Sequence, residues 1–377
     1  MSQFFTSGGQ NIGAHRIGLN KYALLRFGFL LGSTDEMMKT LETEQPYKMR
    51  GAWLQTTNLL ACTSPDYERT LKAFRNYEFV VDVDLFMTPT AMALADVFLP
   101  AATYAERNGI RVGDGVQRGE TINKAVTPVG QIKSDQQINL EIGKMFNPEA
   151  WPWETVEEMY DEILTCTGMS FSELQENAPA YIPFEYRRYE KGLMRPDGGL
   201  GFNTQTGRIE LWSTFYNMAG LSQTPYFEEP TPGPVSTPDL YEEYPLVLTS
   251  GARNWSLFHS EHRQVPHLRA LHKWPWVQIN PKTAERYGIT QGEWVWLEND
   301  RGRCKRVAEI TPIMPERIVS TDHAWWLPEA EGELDKGLFG VPELNVGNLI
   351  PYNPGKSGFG GNYKSLLCKI YKVSKGE

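Results

Sequence analysis

A chain of 377 residues, 41% hydrophobic and 22% charged, is long enough for more than one core and too apolar for disorder to dominate. Its formal charge of -9 argues against a nucleic acid or an anionic membrane as the main partner, because both reward a positive footprint. A small anionic ligand stays open, since a few well-placed Arg, His and backbone N–H groups hold one inside an acidic protein.

Taken in chain order, residues 1 to about 45 carry no repeating apolar pattern beyond the amphipathic stretch Ser33 to Leu41, so this segment leans on something else. The start of the chain has no basic region followed by an apolar run, and Leu25 to Gly32 is too short to span a bilayer. The expectation is a soluble, cytoplasmic chain as given, without an export signal. Ala52 to Gln55 reads as a strand ending in a polar loop at Asn58, and a helix follows with Ser64 as N-cap and Pro65 at its first position. Phe79 to Asp84 is a β-branched run, followed by a helix from Pro89 to Leu94 and a strand from Val97 to Pro100. Strand, helix and strand in this order predict a βαβ crossover, which places Asn58, Asp84 and Thr88 at the ligand-binding edge of an open sheet. A helix pair is predicted between Glu154 and Glu176, and Pro225 to Pro245 has the composition of a linker. Short strands at Pro245–Ser250, Trp276–Ile279, Trp294–Glu298, Arg303–Ile310 and Arg317–Thr321, with a brief helix at Ala284–Tyr287, predict a compact β-barrel.

Chemistry concentrates in the loop after the first barrel strand. Ser250, Gly251, Arg253, His259, Ser260 and Arg263 bring hydrogen-bond donors to a place where Gly251 lets a backbone approach closely. Anion binding and an ordinary solvated loop are both open readings. A metal held by His259 and His262 lacks further ligands at a telling spacing, and Cys62, Cys166, Cys304 and Cys368 lie far apart with no CxxC pair. These four read as free thiols, and no iron–sulfur cluster is encoded. Asp84 fits either a carboxylate facing a purine or a cap for the turn at Thr88, and Asn58 fits a turn. No Ser-His-Asp or Cys-His triad, Walker loop or GxGxxG fingerprint is present.

Residues 79–91 and 94–106 closely resemble the third domain of the dimethyl sulfoxide reductase family of molybdenum and tungsten oxidoreductases, and residues 201–211 resemble the segment leading toward the last domain. Residues 250–263, 279–295, 322–329, 345–350 and 366–372 are similar, in the right order, to the pattern of the fourth domain. The resemblance implies an α/β plus β fold: a βαβ open-sheet domain like domain 3 of formate dehydrogenase and dimethyl sulfoxide reductase, then a double-psi β-barrel of the aspartate decarboxylase type. Residues 1–50 would be a remnant of the preceding domain, 51–225 the α/β nucleotide domain, 226–244 a linker and 245–377 the barrel. It implies a bis-molybdopterin guanine dinucleotide carrying molybdenum or tungsten. Asn58, Asp84 and Thr88 would face one guanine nucleotide. Ser250, Gly251, Arg253, His259, Ser260 and Arg263 would hold pterin and phosphates, with His323, Asn348 and Lys364 on neighbouring loops. Family members begin with a cluster-binding domain and a domain bearing the protein ligand to the metal. Neither is recognisable here, which implies a partial catalytic subunit, inactive alone, completed by an N-terminal half or separate chain and served by a ferredoxin-like electron-transfer subunit. A non-catalytic cofactor carrier or scaffold is the alternative. Gly347 and the shifted spacing of Asn345 to Asn348 depart from the tighter Asn pair of relatives. Pro89 and the 367–371 ending resemble the branch with thiosulfate and polysulfide reductases, acetylene hydratase and aromatic dehydroxylases, which fixes no substrate.

Overall fold

The computed structural model describes residues 16–27, 32–112, 118–181, 185–353, 355–356, 358, 363–374 and 376. The start of the chain and residues 28–31 of the Leu25 to Gly32 stretch lie outside the described residues. No helix among the described residues is long and apolar enough to cross a membrane. By contact the chain divides into two compact units, one of Met1–Val81, Met87–Asp96 and Ser213–Glu377, the other of Asp82–Phe86 and Val97–Trp212.

The first unit contains the helix Thr34–Thr43, whose N-cap Ser33 accepts from the Glu36 N–H and whose first turn carries Asp35 and Glu36. Strand β1 (Gly51–Gln55) follows, then a single π-helical turn, Leu59–Thr63. The next helix is Tyr67–Phe74, and its N-cap is Asp66 rather than the predicted Ser64. The shift has a local cause. The Ser64 N–H closes the π turn onto Leu59 O, and the Asp66 N–H donates to Gly347 O at 2.8 Å, so helical geometry starts only beyond Asp66. Strand β2 (Phe79–Asp84) begins in this unit and passes at Asp82 into the other, to which β3 (Val97–Pro100) belongs. The helix Pro89–Leu94 starts where predicted, with Thr88 Oγ1 accepting from the Ala91 N–H.

In the second unit, β4 (Gly109–Val112), β5 (Arg118–Ile122) and β6 (Ala180–Tyr181) form an antiparallel sheet with β5 central. The predicted helix pair is Val156–Leu164 and Phe171–Asn177, the second opened by a Ser170–Glu173 capping box. With the helix Asp135–Phe146 they bury Leu140, Tyr160, Leu164, Phe171 and Leu174 in one core.

The rest of the first unit is a closed barrel of β7 (Leu246–Ala252), β8 (Trp276–Ile279), β9 (Trp294–Glu298), β10 (Arg303–Ile310), β11 (Ile318–Asp322) and β12 (Leu366–Lys372), in the order β10-β8-β11-β7-β12-β9. Two of its pairings are parallel, β8 with β10 and β7 with β11; the others are antiparallel. Alternate residues fill the interior, among them Leu248, Ile279, Val295, Leu297, Val319, Leu366 and Ile370, each contributing about 1.5–3 kcal/mol by leaving water. Cys304 and Cys368 are buried here as free thiols, and burial pushes both up in pKa. The predicted helix at 284–287 starts earlier, at Pro281, because Asn280 caps it by accepting from the Lys282 N–H.

A second apolar core in this unit joins Met38, Leu54, Leu60, Phe74 and Val80 to Trp326, Leu338 and Val341 from the loops between β11 and β12. Asn345 fastens the same junction: its amide donates to Leu60 O at 2.6 Å, and its carbonyl oxygen accepts from the Gly347 N–H at 2.8 Å. A Cβ on Gly347 would stand 2.6 Å from Ser64 O, which is why the departure at this position is a glycine. Asn345→Ala leaves two buried backbone groups unpaired, so a loss of about 2 kcal/mol is expected, read from the urea midpoint. An unchanged midpoint would show that this side chain does not hold the junction.

Candidate functional site

Strand β7 delivers Ser250 and Gly251 to a loop that folds back on itself. Ser250 Oγ donates to Tyr363 O, and Lys364 Nζ donates to Ser250 O at 2.8 Å. Gly251 has φ +79°, and a Cβ there would lie 2.5 Å from Lys364 Nζ, so only glycine lets this ammonium rest against the strand end. Further on, Asn254 Oδ1 accepts from Ser256 N–H and Oγ, while the Arg253 guanidinium lies over the Phe258 ring at 4.9 Å.

The loop then brings His259 against His323 at the end of β11, with His259 Nδ1 and His323 Nε2 2.7 Å apart. One nitrogen donates and the other accepts. Arg263, buried to 4% exposure, ties the pair together: it donates to His259 O at 2.6 Å and to His323 O at 3.3 Å. Its guanidinium lies 4.7 Å from the Trp325 ring centroid, and that of Arg269 lies 4.9 Å from it. Trp325 Nε1 donates to Asp322 Oδ2, which also accepts from His272 Nε2 at 2.9 Å. Because Trp276 Nε1 donates to His272 Nδ1, the His272 proton sits on Nε2. Ser260 O accepts from Trp326 Nε1, and His262 is turned away, its Nδ1 on Ser256 O.

Around the two imidazoles lies a cavity of about 370 Å³, within the range of small-molecule sites. It is lined by Cys62 to Ser64 from the turn after β1, by Ser250, Gly251 and Arg253, by His259 and His323, by Val346, Gly347 and Ile350, and by Tyr363 and Lys364. All these residues belong to the first unit. Two cations and two imidazoles face it, and no carboxylate does among the described residues, so the lining suits an anionic ligand with an aromatic or apolar body. Burial, then the neighbouring Arg253, lowers the pKa of His259, which keeps the ring neutral near pH 7. Burial pushes Arg263 down to about 10, still protonated at pH 7, and pushes the Cys62 thiol up to about 12.

The cavity thus gathers six of the residues singled out in the sequence: Ser250, Gly251, Arg253, His259, His323 and Lys364. Ser260 and Arg263 stand behind them in the same loop. Asn58 is buried beneath the π turn, its Oδ1 accepting from Thr90 Oγ1 at 2.8 Å, and its amide nitrogen has no acceptor among the described residues. Thr88 caps its helix. Asp84 accepts from the Leu85 N–H and lies in the second unit. Asn348 donates to Pro342 O at 2.7 Å, outside the cavity. Cys62 and Tyr363 line the cavity but escape sequence reasoning. Asn58, four residues before Cys62 at a predicted strand end, was the available signal for the first.

Two family models match this chain: the molybdopterin oxidoreductase model over residues 11–145 and the molybdopterin dinucleotide-binding domain model over residues 246–364. The chain is 31% identical to an acetylene hydratase of Syntrophotalea acetylenica over 83% of its own length and 42% of the relative's. It is 28% identical to a dopamine dehydroxylase of Eggerthella lenta over 97% of its length and 42% of that protein. The solved structure of an acetylene hydratase from Pelobacter acetylenicus superposes with a TM-score of 0.85 at 27% identity, covering 95% of this chain and 52% of that one. The chain therefore spans about half or less of the proteins it matches. Every residue lining the cavity falls inside one or other of the two matched segments. With both models matched and their residues meeting at one cavity, the chain belongs to the dimethyl sulfoxide reductase family of molybdopterin oxidoreductases.

Proposed function

We propose that the chain supplies part of the envelope of a bis-molybdopterin guanine dinucleotide in a molybdenum or tungsten oxidoreductase. The observation that carries this reading is the cavity at Ser250, Arg253, His259, His323 and Lys364, whose cationic, carboxylate-free lining fits phosphate and pterin groups. Close behind the lining, two buried donors have no partner among the described residues, Arg263 Nε and the Asn58 amide. When bound, the cofactor supplies the two-electron chemistry of the metal. Arg253 and Lys364 neutralise phosphate charge, the ring nitrogens of His259 and His323 offer hydrogen-bonding positions, and Ser250, Gly251, Ser260 and Arg263 fix the loop that carries them. Asn58, Asp84 and Thr88 would serve a guanine nucleotide, and Asn348 a neighbouring loop contact.

The two parallel pairings inside the barrel support the double-psi reading of it, and the run of β2, the helix Pro89–Leu94 and β3 along the chain supports the domain-3 reading. In this proposal residues 51–225 act as the α/β nucleotide domain and 245–377 as the barrel. The protein ligand to the metal and the electron entry come from an N-terminal half or a separate chain, with a ferredoxin-like subunit as electron partner. To test the reading, the chain is produced in a host that makes the cofactor, then extracted and hydrolysed. Guanine nucleotide and oxidised pterin in stoichiometric amount, with no viologen-linked turnover by the chain alone, is the expected result. Nucleotide-free protein from a cofactor-replete host would overturn it, and turnover by the isolated chain would overturn its incompleteness.

A further inference from the structure

Three segments far apart in sequence meet at the cavity: the π turn after β1, the loop after β7 and the end of β11. They place Cys62, His259 and His323 so that one ligand-capable atom from each lies within 4.8 Å of the others. We propose that these three residues form a binding site for a soft or borderline divalent cation of the zinc class, open when the pterin nucleotide is absent.

Several features of the geometry support this. Zinc–sulfur bonds of about 2.3 Å and zinc–nitrogen bonds of about 2.0–2.1 Å put tetrahedral ligand atoms roughly 3.3–3.7 Å apart. The existing spacing needs only a side-chain adjustment, with the imidazole nitrogens parting from 2.7 Å and the sulfur drawing in. One thiol and two imidazoles are a donor set for zinc or cobalt and a poor one for calcium or magnesium, which ask for oxygen. The cavity leaves the fourth position to water. Arg263 fixes the backbone at both His259 and His323 by donating to their carbonyl oxygens, so the two rings are held for an incoming ion rather than swung together by it.

Charge and protons balance without a further reactant. With both imidazoles in the neutral form that metal binding requires, they hold two protons between them, one in their mutual hydrogen bond; that proton moves to an outward ring nitrogen as both facing nitrogens bind. The Cys62 thiol gives up its proton to solvent. One ion therefore enters, one proton leaves, and the site carries a net charge of +1 beside Arg253 and Lys364. That residual charge keeps the pocket attractive to an anion as the fourth ligand.

The test uses the full chain, purified free of metal and cofactor, titrated with cobalt(II). The expected result is one equivalent bound, with the near-ultraviolet charge-transfer band of a cobalt thiolate, the strong visible bands of four-coordinate cobalt, and about one proton released per ion. Zinc should bleach the spectrum. Cys62→Ser should abolish the charge-transfer band, and His323→Gln should weaken binding by about tenfold or more. Cys166→Ser, at the exposed thiol, should change nothing. A weak six-coordinate spectrum, or a thiolate band that survives Cys62→Ser, would overturn the site. Should the substitutions impair folding, alkylation of Cys62 in the unmodified chain gives the answer: zinc must slow it, and an unchanged rate sinks the proposal. The competition with cofactor rests on the proposed function, but the cobalt readout does not, so failure to recover nucleotide from the cell-made chain leaves it standing.

Discussion

Arg263→Ala is expected to lower stability by about 3–5 kcal/mol and to strip the chain of most of its cofactor. The guanidinium donates to carbonyl oxygens on two segments, His259 and Glu261 in one and His323 in the other, and the bonds to His259 and His323 are each worth roughly 1.5–3 kcal/mol net of desolvation. It also lies over Trp325, so truncation opens a gap beside a fully buried indole. Because those are net values, the cost of burying the charge, visible in its lowered pKa, is not subtracted a second time. Arg263→Lys separates charge from shape: it keeps the cation, loses the fork and the stacking, and should recover less than half of the lost stability. Urea midpoints for the two variants, with guanine nucleotide content of the cell-made chain as second readout, decide the matter. Equal stability of Arg263→Ala and the parent would refute the role given to this side chain.

The second large effect is a pH dependence centred on Asp82. This carboxyl is fully buried in β2, neither oxygen has a hydrogen-bond partner among the described residues, and burial followed by the nearby Asp84 raises its pKa from 3.8 to about 7. Folding therefore favours the protonated acid. Below pH 4 both folded and unfolded chains hold the proton and Asp82 costs little; between pH 4 and 7 the unfolded chain ionises first, and stability is lost as pH rises through the folded value. At 1.36 kcal/mol per unit the full effect is on the order of 4 kcal/mol, complete above pH 7. Asp82→Asn should accordingly gain on the parent steadily from pH 4.5 to pH 8 in denaturant midpoint. A difference between the two proteins that stays constant with pH would show that Asp82 ionises normally in the folded chain.

What sequence patterning revealed follows from the range of the forces involved. Thr88 before Pro89, and the alternation of Trp294 to Glu298 and of Arg303 to Ile310, are written in neighbouring residues, so those elements emerged with correct bounds. The strand Leu366–Lys372 is legible only as a similar ending, because Leu366, Leu367 and Cys368 are all buried, the alternation is confined to Cys368–Tyr371, and the strand follows a Gly-rich stretch. The sheet at Gly109–Val112 and Arg118–Ile122 is not legible for a related reason: its strands are brief and carry Gly109 and Gly119, which weaken a strand pattern, and the close approach of Gly119 to Leu174 is set by a helix more than fifty residues on. The cap at Asp66 instead of Ser64 depends on Gly347, almost three hundred residues away. The Cys62–His259–His323 meeting is of the same long-range kind. His259 is legible from its loop, but no spacing rule joins it to a cysteine in a different part of the fold.

Closure of the barrel by β12 has a consequence for how this chain comes into being. That strand bridges β7 and β9, so until it arrives both neighbours present bare rows of amide and carbonyl groups to the surroundings. During synthesis the half-built cylinder is a sticky ribbon, and the last strand to leave the ribosome among those of the barrel is the one that seals it.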